Sequence, residues 1–379
     1  MSNTLTNLIP DVYAALNVVS RELTGFIPSV MRDPSADRVA VGATLRVPQA
    51  PANAGRDITP AMSLPSASDQ NFGNKTFTIS KSRAFPFSWS GSEQVAMNTG
   101  PGYLTLKQNQ IAEAIRAAVN EIENDIFTAA YKASSRAYGT AGTTPFASDL
   151  SDSANVRKIL DDNGAPSLDR SLVIDTTAGA KIRTLSQLTK ANEAGGTDLL
   201  RQGTLLDIHG FMLRESSKVA QVTKGTGASY LVNNASGYAI GATTIAADTG
   251  SGTILAGDVV TFNGDSNKYI VVTALSGGNF EIAAPGLLKA LADNAAITVG
   301  NSYTPNVGFS RSAIVLGTRL PDLPAEGDLA SERTEVMDER TGLVFEVAAY
   351  PGYRMVTYEL GISWGVSVIK PAHVATLLG

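Results

Sequence analysis

The sequence predicts an α+β protein: one long helix, extended strands, and a small all-β unit set into the chain. Three observations carry this. From Leu104 to Ser134 no glycine or proline occurs, and Ile111, Ile115, Val119, Ile122, Ile126 and Ala129 recur at spacings of four, four, three, four and three. That is the stripe of an amphipathic helix, roughly 45 Å long at the α-helical rise. Near the C-terminal end, Val356, Tyr358, Leu360, Ile362, Trp364, Val366 and Val368 alternate with small or polar residues, the period of a strand. Between Val219 and Gly300 helical periodicity fades and short β-type runs ("DVVTFNGD", "KYIVVTAL", "GNFEIAA") alternate with turn signals at Gly264-Asp265 and Gly277-Gly278-Asn279.

Composition narrows the function classes. Of 379 residues 43% are hydrophobic and 17% charged, with a net charge of -5. Such a chain can bury a sizeable core, but its charge has the wrong sign for gripping phosphate backbones. There is no cysteine, which excludes disulfides, thiolate catalysis and cysteine-bearing zinc sites. The first charge is Asp11, so no basic leader precedes an apolar run, and no apolar stretch reaches membrane-spanning length. A soluble chain without a signal peptide is expected.

The remaining elements follow in order. Over 11–24, Val12, Leu16, Val19 and Leu23 mark a short amphipathic helix opened by Asp11 and closed by Gly25. Residues 37–47 and 76–89 alternate as two strands, with Val39, Val41, Leu45 and Val47 on one side of the first and Phe77, Ile79, Phe85, Phe87 and Trp89 in phase along the second. The connection between them holds Pro48, Pro51, Pro60 and Pro65 and few large apolar side chains. So long a structureless connection marks an interaction loop, and the whole reads as an extended two-stranded arm. Residues 151–216 have α/β texture. "SLVID" reads as a buried strand whose Asp175 caps the next helix, and "GTLLDIHGFMLRES" as a strand-turn-strand broken at His209-Gly210. The α/β texture resumes at "SAIVLGTRL", which makes the all-β unit an insertion.

Candidate chemistry is thin. "GISWG" at Gly361–Gly365 spells G-x-S-x-G, the nucleophile elbow of serine hydrolases. An elbow needs a strand, a strained turn and a helix, whereas Ser363 sits inside the alternating strand, and no Asp or Glu follows it. The match is an accident of spelling. His209 and His373 lack the spacing and partners of a metal site, and "GTGASY" lacks the third glycine of a dinucleotide loop. The acidic run from Asp322 to Glu339 is too loosely spaced for a calcium loop and reads as a solvated loop, or else as an ion-pair surface between subunits.

The order of elements resembles the major capsid protein of tailed bacteriophages, the Hong Kong 97-type fold, and more closely the coat proteins of short-tailed phages with an inserted β-domain. The residues that carry the resemblance are "NTLTNLIPDVYAALNVVSRELTGFIPSV", "LLRQGTLLDIHGFMLRES", "GDVVTFNGD" with "GGNFEIA", "NVGFSRSAIVLGTRLP" and "YELGISWGVSVIKPAHVATLLG". They span nearly the whole chain, and their order, more than any one motif, is specific.

The resemblance implies an N-terminal arm over 1–36, an E-loop hairpin over 37–90, a spine helix of the peripheral domain over 91–150, and peripheral and axial domain material over 151–218. It further implies an inserted β-domain over 219–300, an axial-domain return over 301–340 and closing peripheral-domain strands over 341–379. The implied function is a structural shell of pentamers and hexamers that encloses double-stranded DNA without sequence-specific binding. Scaffolding protein and portal are the implied partners, with assembly in the host cytoplasm and residence in the virion. Catalytic, cofactor-binding and metal residues are expected to be absent, and no membrane partner is expected. Candidate assembly contacts are Val12, Leu16, Val19, Leu23, Arg46, Arg56, Asp57, Lys75, Glu326, Asp328, Glu332 and Arg333. Competing readings are an encapsulin-like cellular shell, a monomeric binding protein using 219–300, and a hydrolase using Ser363.

Overall fold

The structure, a computed structural model, describes residues 22–49, 57–60, 62, 73–97, 103–189 and 207–379. Of the helix expected over 11–24, residues 11–21 with Val12, Leu16 and Val19 lie outside the described residues, as does Arg56. Residues 22–24 are not helical and lead into a tight turn, where the amides of Ser29 and Val30 both donate to the Phe26 carbonyl.

The long helix runs over Tyr103–Lys132. Its stripe forms as expected: Ile111, Ile115, Val119, Ile122 and Ile126 are buried, and Ala130 rather than Ala129 completes it. That stripe packs on a six-stranded sheet whose order is Met31–Val39, Ile314–Pro321, Met355–Val368, Val344–Gly352, Glu332–Met337, with Lys81–Ser90 also paired to Met355–Val368. Met31–Val39 runs parallel to Ile314–Pro321, whereas the other pairs are antiparallel. Between helix and sheet lies the largest core, with Phe26, Phe127, Phe309, Phe345, Leu360, Ile362 and Trp364 buried in it. The Phe26 ring stacks on Phe309 at 6.1 Å and tilts against Phe127 at 5.8 Å, the offset geometries aromatic quadrupoles favour.

The expected strand over 37–47 is two strands. Met31–Val39 ends in a turn at Val41-Gly42, and Thr44–Gln49 begins again. Gly42 sits at φ +94, where L side chains are strained, and its amide donates to the Ile79 carbonyl at 2.9 Å. Alternation alone could not mark this break, because Val41 keeps the phase while standing 57% exposed. The stretch 76–89 breaks likewise at Ile79-Ser80 into Gly73–Thr78 and Lys81–Ser90. The two-stranded pairing expected along 37–90 is therefore confined to Thr44–Gln49 with Gly73–Thr78; Lys81–Ser90 leaves it for the large sheet. That hairpin docks through Leu45, Val47 and Phe77 against Val315 and Ile369.

A second sheet holds eleven strands. Six of them lie between Tyr230 and Val299, and pairing of Val259–Phe262 with both Ala296–Val299 and Lys268–Ser276 closes these six into a ring. Closure removes open edges. Tyr230, Ile245, Val260, Phe262, Tyr269, Val271 and Phe280 fill the interior as a separate core. The ring joins the rest where Lys268 and Tyr269 pair with Ala137 and Arg136. The sheet then continues through Arg136–Gly139, Val374–Leu378, Pro305–Ser310, Arg170–Ile174 and Phe211–Glu215. Arg170–Ile174 is buried throughout. At its end the Asp175 carboxylate accepts from the amides of Thr177 and Ala178 at 3.1 and 3.2 Å, capping helix Thr176–Thr184 as expected.

Candidate assembly surface

Ser363 stands in the middle of Met355–Val368 and is fully buried. Its Oγ donates to Ser82 Oγ at 2.9 Å, and no helix follows it. The small and polar face of this strand is covered: Gly361, Ser363 and Gly365 are all buried, with Pro321 over Gly361 and the chain at Thr78 and Ile79 crossing over Gly365. Ser363→Ala should lower stability by about 1 kcal/mol through the lost hydrogen bond and leave ester hydrolysis at the level of buffer, read with a chromogenic acetate ester. The two histidines are apart in role. His209 Nδ1 lies 2.9 Å from Ser153 Oγ, while His373 is held below the usual imidazole range by burial and by nearby Lys370 and Arg170. Among the described residues no three His, Asp or Glu side chains converge to hold a metal ion, and no helix is long and apolar enough to cross a membrane.

Charged groups are spent on holding elements together. On the apolar stripe of the long helix, Glu123 is fully buried. Its Oε1 accepts from the amides of Gly25 and Phe26 at 2.6 and 2.8 Å and from Ser216 Oγ at 2.8 Å, and its Oε2 from the Ile27 amide at 2.9 Å. Burial pushes this carboxyl above its usual range, and the four donors pull the other way. Two turns earlier, Arg116 grips Glu22 through two hydrogen bonds, 2.8 and 2.5 Å. The segment entering the core at Gly25 is thus fastened to the long helix twice. Sequence reasoning missed Glu123, although a carboxylate flanked by Val119, Ile122 and Ile126 at helical spacing is the signal that would have found it.

Arg116 holds the Glu22 carboxyl down at about 2, from 4.5. A depressed carboxylate contributes stability above its unfolded value and loses it as pH falls through the folded one. The Glu22–Arg116 clasp should therefore weaken between pH 4.5 and about 2. For so exposed a pair the contribution is small. Glu22→Gln should remove that part of the acid dependence, measured as urea midpoint against pH.

A second network joins Lys81 to Asp125 at 2.8 Å and Glu121 at 3.3 Å. Asp125 also accepts from Trp364 Nε1 at 2.8 Å, so one carboxylate ties the long helix to two neighbouring strands.

The described candidate contact residues fall into two groups, with Glu332 half-buried at the start of its strand. Leu23, Arg46, Asp57, Lys75 and Glu326 are exposed. Arg46 lies opposite Thr76 on the hairpin, and Lys75 opposite Val47, so the two basic residues occupy opposite faces. Asp328 and Arg333, by contrast, pair with each other within the chain. Arg333 also bridges to Glu346 and to Tyr350 Oη, and Glu346 takes Arg38 on its other oxygen. The acidic run is therefore not the loop expected throughout: Glu332–Met337 is a strand paired with Val344–Gly352, and Asp338 is buried where it accepts from Thr341 Oγ1 at 2.6 Å. Large apolar side chains that remain exposed include Ile58, Met62, Val95, Leu329 and Tyr353. They stand on the connection between the hairpin strands, on helix Gly91–Met97, before strand Glu332–Met337 and at the tip of the Val344–Gly352/Met355–Val368 hairpin.

No family model matches the chain, and no curated protein matches it in sequence. Solved structures do match, and they define a class: the chain has the fold of phage capsid structures. The capsid structure of the cyanophage P-SCSP1u is similar with a TM-score of 0.52 at 12% identity, over 95% of this chain and 89% of that one. A structure of Mycobacterium phage Che8 is similar with a TM-score of 0.51 at 14% identity, over 95% of this chain and 92% of that one.

Proposed function

We propose that this chain is the major capsid protein of a tailed phage, a structural protein without catalytic activity that assembles in many copies into an icosahedral head around double-stranded DNA. The observation that carries the reading is the fold likeness to capsid structures along 95% of the chain. On this reading the hairpin and its connection are an E-loop, Tyr103–Lys132 is the spine helix of a peripheral domain, and the closed six-stranded ring is an inserted β-domain. Leu23, Arg46, Asp57, Lys75 and Glu326, with Ile58, Leu329 and Tyr353, are surface buried only between copies. Such a protomer gains its remaining apolar burial through modest contacts multiplied by symmetry. Pentamers and hexamers, with scaffolding and portal proteins as partners, assembly in the host cytoplasm and residence in the virion belong to the same proposal.

The test is sedimentation of the purified chain, alone and with a candidate scaffolding protein, followed by negative-stain microscopy of the fast fraction. Closed shells or tubes of regular subunits are the expected outcome, and nuclease-resistant DNA in shells recovered from infected cells would mark a genome container. A chain that stays monomeric at high concentration under both conditions would overturn the reading.

A further inference from the structure

A cleft of about 440 Å³ opens where strand Arg136–Gly139 meets helix Ser151–Asp162 and the turn that precedes strand Lys268–Ser276. Three cations line it, Arg136, Lys158 and Lys268, together with polar Asn155, Ser266 and Asn267, and none of its described lining residues is acidic. In a chain of net charge -5 a concave site of this sign is set against the background charge. Low-dielectric walls concentrate the field of such a cleft on whatever enters it.

The cations differ in how fully they are used. Lys268 Nζ donates to the Gly139 carbonyl. Lys158 is exposed and reaches Asp162 at 3.0 Å across one helical turn, a pairing of low worth in water. Arg136 is 5% exposed. One guanidinium nitrogen reaches Asn163 Oδ1 at 3.1 Å and the Ile159 carbonyl at 3.4 Å, with Asp162 at 3.8 Å. Its Nε–H has no acceptor among the described residues and is itself closed off from solvent. The exposed Lys158 is the cation able to move, swinging from Asp162 to meet an oxyanion that enters the cleft. The nearby Asp265 accepts from Asn267 and Tyr269, and it and Asp162 offset part of the positive charge at Arg136.

We propose that this cleft is a phosphate-binding site, formed by Arg136, Lys158 and Lys268 at the junction between the closed six-stranded ring and the remainder of the second sheet. Arginine and lysine together match a tetrahedral oxyanion, the one by directed N–H groups and the other as a mobile point charge. Because the ring joins the strand Arg136–Gly139 at Lys268 and Tyr269, an anion held there braces the ring against the sheet.

The test titrates the full-length chain with inorganic phosphate at constant ionic strength, with chloride as the reference, following ³¹P line width and the thermal midpoint. A second arm uses a single-stranded DNA oligonucleotide as the phosphate source. Saturable broadening and a raised midpoint are expected for the unaltered chain, with affinity at least tenfold weaker in Lys158→Glu. Arg157→Glu makes the same charge change one residue away, outside the lining residues, and should bind as the unaltered chain does. Oligonucleotide binding that Lys158→Glu abolishes would assign the source to nucleic acid; a response to inorganic phosphate alone would assign it to the free ion. Absence of saturable binding, or equal weakening by both substitutions, would overturn the proposal. Lys158→Ala, at an exposed position where folding is not at risk, guards against an effect of charge reversal alone.

Discussion

Glu123→Ala should lower the stability of the chain by about 3–5 kcal/mol, since several buried donors are left unsatisfied together at about 1–3 kcal/mol each. Three backbone amides, of Gly25, Phe26 and Ile27, and the Ser216 hydroxyl lose their acceptor together, in a place where water does not reach them. Fluorescence-monitored denaturation would show the loss, and hydrogen exchange would place it, with the amides of residues 25–27 exposed first. Glu123→Gln separates charge from shape. Its oxygen can keep the Gly25 and Phe26 amides, but its NH₂ then meets the Ile27 N–H, so an intermediate loss is expected. The pH dependence has a definite sign. A carboxyl raised above its unfolded value contributes most below that value and progressively less as pH rises through its folded one, and burial raises Glu123. The stability gap between the unaltered chain and Glu123→Gln should thus narrow as pH rises above 4.5, the ordinary value from which burial raises this carboxyl. A Glu123→Ala chain within 0.5 kcal/mol of the unaltered one would show that the anchor carries nothing.

Gly365→Val should be the other severe substitution. A Cβ at Gly365 would lie 2.2 Å from the Thr78 carbonyl oxygen and 3.0 Å from its carbon. These are backbone atoms, so no rotamer change relieves the clash, and the chain at Thr78–Ser80 must move. That displaces the Ser80 amide from the Trp364 carbonyl, 3.1 Å away, and lifts Phe77 from Val315 and Ile369. Overpacking of this kind costs about 3 kcal/mol. Exchange protection along Thr44–Gln49 and Gly73–Thr78 should fall while protection in the closed ring is unchanged. Gly91→Ala is the matched control: a Cβ there meets nothing within 4 Å, and stability should stay within about 0.5 kcal/mol. Unchanged protection in Gly365→Val would mean the hairpin is not seated there.

The long helix was legible because its signal is local: every step of the Ile111–Ile126 stripe is three or four residues, and the structure buries each one. Of the six strands between 230 and 299, Val259–Phe262, Lys268–Ser276 and Asn279–Ile282 were legible as β-type runs. The closure of the ring was not, since the pairing of Val260 with Val299 leaves no trace in either run. The same holds for Met31–Val39, whose parallel partner Ile314–Pro321 is about three quarters of the chain away. The break at Gly42 was hidden by a valine that kept the alternation. At the surface, exposed positions such as Arg46 and Lys75 could be named, but Arg333 and Asp328 could not be known to satisfy each other, because ion pairing depends on where a strand turns back. Glu123 was readable as a charge on an apolar face. Its partners were not, since backbone amides have no letter of their own.

The interior place of Val374–Leu378, between Arg136–Gly139 and Pro305–Ser310, sets how early this sheet can close during synthesis. Its five residues are all buried, and they are the common neighbour of two strands that are themselves far apart in the chain. Met31–Val39 waits in the same way for Ile314–Pro321. Topologies dominated by such distant pairings fold slowly. A nascent chain that has not yet passed Leu378 therefore holds a split sheet, with Arg136–Gly139 and Pro305–Ser310 each short of a partner.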